Sequence, residues 1–179
     1  MRSANQGTLG KGHICHVINR RSWETTSGLK KQETLDEIQE VNPEFVYIHL
    51  GTNDIHSWIS KGEPEVTDVA QMARGFLAEL MVLIPNARII LSLPTMTSEY
   101  ATNGSVIELR NAIRTLAKEI GISYDNNKNF DKKFLAPDGV HPSKQGANLL
   151  LGNFRHNIHS LSVKQGPKHS QGNHSATQL

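Results

Sequence analysis

The sequence predicts an α/β fold, a three-layer α/β/α sandwich around a parallel sheet, and three observations predict it. Two short apolar runs, Phe45 to Leu50 and Ala87 to Leu93, have the length and β-branched content of strands buried on both faces. Segments with helical periodicity lie before, between and after them, which is the alternation that builds parallel sheets. A chain of 179 residues with 37% hydrophobic and 20% charged residues is also the size and composition of one domain with a real core.

Taken in order, Ile14 to Ile18 is a short apolar run interrupted by His16 and reads as a possible strand. From Lys30 to Val41, Leu35, Ile38 and Val41 recur every three residues among charges, which predicts an amphipathic helix. Pro43 ends it, because proline restricts the residue before it and lacks a donor. The Phe45 to Leu50 strand follows. Val66 to Ile84 predicts a second helix, with Val69, Phe76, Leu80 and Leu83 near one face and Pro85 as its stop. Ala87 to Leu93 is the second strand, closed by Pro94. Ser105-Val106-Ile107-Glu108 has the form of a capping box and predicts a helix from there to about Ile120, ended by Gly121. Ile122 to Tyr124 is a short strand, and a last helix starts near Ser143 with Leu149, Leu150, Phe154, Ile158 and Leu161. The expected organisation is a domain over 1–161 and a disordered polar tail over 162–179. There are no internal repeats.

Charge and composition exclude some classes. The net charge of +2 comes from 19 basic and 17 acidic residues without a basic block, so nucleic acid is not an expected partner. No run approaches a membrane span, and the first residues carry no apolar leader, so a cytoplasmic protein is expected. The single cysteine, Cys15, cannot form an internal disulfide, which fits a reducing compartment. No metal or cofactor is expected, because no cluster has ligand spacing. Gly7, Gly10 and Gly12 stand in the wrong order for a dinucleotide loop and follow no strand.

Ligands of parallel sheets bind beyond the carboxyl ends of the strands, and two segments sit there. Gly51-Thr52-Asn53-Asp54 leaves the first buried strand. Asn53 can aim an amide donor into the crevice, although Gly, Asn and Asp are also what a plain turn prefers. Asp138-Gly139-Val140-His141-Pro142 leads into the last helix. An aspartate three residues before a histidine can fix its tautomer and leave the second ring nitrogen as a base. An N-cap aspartate beside a surface histidine is the plainer alternative. Of the 9 histidines, His13, His16, His156, His159, His169 and His174 read as solvated or structural, His49 as packed within its strand, and His56 as a loop residue.

A strand ending in Gly-x-Asn-Asp, followed about 85 residues later by Asp-x-x-His-Pro at the final helix, resembles the SGNH (GDSL-type) ester hydrolases. The resemblance runs from roughly Gly28 to Leu161 and implies a flavodoxin-like sheet and acyl transfer on a small ester. It implies His141 as general base, Asp138 as its partner and Asn53 as an oxyanion donor. Gly28 is the best match to the family's second oxyanion donor, a backbone amide, and a loop glycine reads equally well there. The family's nucleophile is a serine in a Gly-Asp-Ser block ending the first strand, and no Gly-Asp-Ser occurs in this sequence. Ser3, Ser22 and Ser27 follow no buried strand, so the nucleophile stays unassigned. The first strand is therefore expected to be missing, leaving its neighbours exposed along an apolar seam and the chain without ester turnover. The alternative from another class is a non-catalytic binding domain on the same fold.

Overall fold

The computed structural model describes residues 5–8, 14–17, 28–59, 66–98 and 100–163. The elements are β1 (Asn5–Thr8), β2 (Ile14–Val17), α1 (Gly28–Val41), β3 (Phe45–His49), α2 (Thr52–Ile59), α3 (Val66–Leu83), β4 (Arg88–Ser92), α4 (Tyr100–Glu119), β5 (Ser123–Asp125) and α5 (Lys144–Val163). A 3₁₀ turn, Lys132–Phe134, lies between β5 and α5. β1 and β2 form a small antiparallel sheet of their own, while β3, β4 and β5 form a parallel sheet in that order. The expected strand near residue 14 therefore exists, but outside the parallel sheet. The tail from 164, His13, Ser3, Ser22 and Ser27 lie outside the described residues.

Register sorts the parallel sheet into two faces, because successive residues of a strand point to opposite sides. β3 and β4 pair Val46 with Ile89 and Ile48 with Leu91, and β4 and β5 pair Leu91 with Tyr124. These residues belong to one apolar cluster with Leu35 and Ile38 of α1, Val69, Phe76 and Leu80 of α3, and Leu109 and Ile113 of α4. The opposite face carries Phe45, Tyr47 and His49, then Arg88, Ile90 and Ser92, then Ser123 and Asp125. α5 lies over it: the Phe154 ring sits 4.7 Å from that of Tyr47, and Arg88 donates to the Leu161 carbonyl at 2.9 Å.

Helix ends follow local chemistry. Asn42 takes a left-handed φ of 44° after α1, a conformation asparagine tolerates, and Pro43 prevents continuation. Gly121 does the same for α4 at φ 74°, with Ile122 N donating back to the Ala117 carbonyl at 2.9 Å. Ser143 caps α5 by accepting from Gly146 N at 3.1 Å. The capping box expected at Ser105–Glu108 is overturned: α4 already starts at Tyr100, so both residues lie inside the helix. The pattern misled because the apolar stripe begins at Val106, later than the backbone helix.

β4 is buried through Ile89–Ser92, whereas β3 is half-buried at all but Ile48. Among the described residues β3 pairs only with β4, and no strand lies along its other edge. Among them, too, no helix is long and apolar enough to cross a membrane.

Candidate active site

In a parallel sheet all strands exit at one end, and the pairing of His49 with Ser92 and Ser92 with Asp125 puts the three exits side by side. β3 leaves through Gly51, whose φ of 116° is open to glycine and strained for other residues. The chain then turns directly into α2, where its turn-forming residues predict a loop. Ile55 N closes its first turn on the Gly51 carbonyl at 3.3 Å. Asn53 is half-buried on that turn, while Asp54 is fully buried beside it. An acidic residue in the first turn suits the positive end of the helix dipole. The Thr52 hydroxyl is buried and has no hydrogen-bond partner among the described residues.

The second segment is a pinned loop. A bridge between Leu135 and Pro142 closes its neck, and Ala136 N donates to the His141 carbonyl at 2.7 Å. Inside it, Asp138 Oδ1 accepts from Val140 N at 2.9 Å and His141 N at 3.0 Å, while Oδ2 lies 2.8 Å from His141 Nδ1. Those backbone donors, helped by the imidazole, hold the Asp138 carboxyl down at about 2. An ionised Asp138 accepts only, so Nδ1 carries the proton and the Nε2 lone pair is left as the base. His141 and Asp138 keep 61% and 51% of their side-chain surface exposed, which makes the pair reachable by a substrate. Gly139 is required here. Its φ is 71°, and a Cβ would lie 1.9 Å from Ser98 Oγ. Ser98 N donates to the Gly139 carbonyl at 2.8 Å, tying this loop to the exit of β4.

The structure thus sets Asp138 against His141 and places their loop and Asn53 at the same end of the sheet. Gly28 opens α1 rather than preceding it. His156 and His159 are exposed on α5.

A second polar cluster escaped the sequence reading. His49 Nδ1 lies 2.7 Å from Ser92 Oγ, and Asn127 Nδ2 donates to Ser92 Oγ at 2.8 Å and to the Leu93 carbonyl at 2.6 Å. Asn153 of α5 donates to Asn127 Oδ1 at 3.2 Å, and Tyr47 donates to Asp125 Oδ2 at 3.2 Å. His49 is half-buried as a residue, but its ring is closely surrounded, and this burial pushes its pKa down to about 4. Burial likewise raises the Tyr47 phenol far above its ordinary range. Only 2% of Ser92 is exposed, so its contact with His49 does not offer an ester a nucleophile. The available signal was positional: Tyr47, His49 and Ser92 alternate with apolar neighbours in otherwise apolar strands.

Comparison with known proteins bears on the family and the fold. Residues 9–149 fit the profile of the GDSL-like lipase/acylhydrolase family. Among solved structures, a carbohydrate esterase family 3 protein from Talaromyces cellulolyticus superposes with a TM-score of 0.64 at 17% identity, over 82% of this chain and 70% of that one. An acetylxylan esterase from Geobacillus stearothermophilus gives 0.63 at 18% identity, over 80% and 72%. A putative GDSL-like lipase from Parabacteroides merdae gives 0.57 at 22%, over 69% and 66%. No curated protein matches. A profile that spans well over half the sequence, on a parallel sheet of this fold, means that the chain belongs to the GDSL-like lipase/acylhydrolase family.

Proposed function

We propose that this domain carries the general-base machinery of an ester hydrolase acting on acetyl or other short acyl esters. The observation behind the reading is the Asp138–His141 contact of 2.8 Å, exposed at the carboxyl end of the sheet. His141 Nε2 takes the proton of the attacking hydroxyl as that oxygen bonds to the ester carbonyl carbon. It then returns the proton to the departing alcohol, with Asp138 holding the ring and stabilising the imidazolium. Asn53 donates to the oxyanion of the tetrahedral intermediate, and Gly28 is the candidate for the second, backbone donor. The acetylxylan activity in the name of one structural neighbour makes acetylated carbohydrate the first substrate class to try.

The nucleophile is the serine of a Gly-Asp-Ser strand, and the edge of β3 that has no partner strand among the described residues is where such a strand pairs. The test joins an apolar strand ending in Gly-Asp-Ser ahead of Met1 through a flexible linker and follows aryl-acetate hydrolysis. Hydrolysis that appears with the strand and falls about 10²–10⁴-fold in His141→Ala supports the reading. No gain, or a gain indifferent to His141, sinks it. The same failure would favour a non-catalytic binding domain, for which the double replacement of Asp138 and His141 leaves ligand binding intact.

A further inference from the structure

The cluster around Ser92 joins all three strand exits, and its proton order bears on the helix turn that holds Asn53. Ser92 Oγ accepts from Asn127 Nδ2 and lies beside both His49 Nδ1 and the Tyr47 hydroxyl. One order satisfies every member: His49 Nδ1–H and Asn127 donate to Ser92, Ser92 donates to Tyr47, and Tyr47 donates to Asp125. Asn127 completes the joint. It adopts a left-handed φ of 47°, only 3% of its surface is exposed, and it bonds to the backbone after β4 and to Asn153 of α5. Its own amide is held by Asp125 Oδ1 at 2.9 Å.

We infer that His49 is a positioning residue for the first turn of α2, which carries Asn53, holding the exit of β3 to those of β4 and β5 through Ser92 and Asn127. The location gives the bond its leverage. Among the described residues β3 has a neighbour strand on one side only, so backbone pairing alone leaves its end less restrained than that of β4. His49 is the last residue of the strand, two positions before the Gly51 hinge and four before Asn53. A side-chain bond across to β4 at that point fixes the height from which α2 departs. The consequence for catalysis rests on the proposed role of Asn53; the mechanical claim does not.

The test uses isosteric logic. The amide of an asparagine side chain occupies the place of histidine Nδ1, whereas the amide of a glutamine occupies that of Nε2. Amide hydrogen exchange reads the result at Ile55 N, which closes the first turn of α2 on Gly51, with Leu91 N in β4 as the internal reference. His49→Gln is expected to speed exchange at Ile55 about tenfold relative to Leu91, and His49→Asn to stay near wild type. Ser92→Ala, which removes the partner from the other side, is expected to match His49→Gln, and combining the two to add nothing. Wild-type exchange in His49→Gln, acceleration in both His49 variants, or additive effects of His49→Gln and Ser92→Ala would each overturn the inference. In the strand-joined protein the same loss lowers kcat with KM little changed. If Ile55 responds as expected while hydrolysis is absent from every variant, the positioning role stands and the ester-hydrolase reading fails.

Discussion

The two faces of the parallel sheet are built on different principles. One face, with Val46, Ile48, Ile89 and Leu91, is an apolar contact against α1, α3 and α4, and its stability comes from area removed from water. The other, with Tyr47, His49, Ser92 and Asp125, is a layer of directional bonds under α5. Such a layer adds little net stability per bond but leaves few alternative geometries. The difference teaches where precision is kept in this fold: the packed face holds the domain together, and the bonded face sets the strand exits from which Asn53 and the His141 loop depart.

Substitutions on the packed face should produce the largest losses of stability. Leu91→Ala, at a fully buried position, is expected to lower unfolding free energy by about 2–5 kcal/mol in denaturant titration. A loss under ~1 kcal/mol would mean that this face is not the main core.

Acid should act mainly through the bonded face. His49 ionises near 4 in the folded protein against an ordinary 6.5, so between those values the unfolded chain binds a proton that the folded one refuses. Its contribution is complete above pH 6.5 and is lost as the pH falls towards 4, amounting to at most about 3 kcal/mol. Asp138 behaves in the usual carboxylate sense, its contribution present above 3.8 and lost as the pH falls through about 2. Chemical denaturation at pH 7, 5.5 and 4.5 checks the first window, and His49→Asn should flatten it. An unchanged slope in that variant would assign the acid sensitivity to other groups.

The smallest effect is expected at the loop itself. Gly139→Ala places a side chain at φ 71° against Ser98, which costs about 1–2 kcal/mol from backbone strain and moves the loop that holds His141. Exchange of the Ser98 amide, bonded to the Gly139 carbonyl, should quicken while that of Leu91 does not. Equal change at both would make the effect global and remove the distinction between the faces.

The packed face was largely legible in the sequence, because burial against helices leaves periodic signatures. The spacing of Leu35 and Ile38, the run Ala87 to Leu93 and the stops at Pro43 and Pro85 located elements to within a few residues. Turn and cap chemistry was less reliable. Gly51-Thr52-Asn53-Asp54 has turn residues yet starts a helix, since tertiary packing of the buried Ile55 outweighs local preference. Ser105 and Glu108 match a cap pattern in mid-helix. At the site, the contact between Asp138 and His141 was legible because they stand three residues apart, while their roles came from the family resemblance. The cluster of Tyr47, His49, Ser92 and Asn127 was not legible, because only strand register and α5 assemble residues so far apart in sequence.

The most direct test of the catalytic reading is stoichiometric labelling by a fluorophosphonate probe of the chain carrying the Gly-Asp-Ser strand, beside its His141→Ala variant. One labelled serine, on the added strand, and loss of labelling with His141 are expected. Labelling that persists without His141, or that falls on another serine, would contradict that reading.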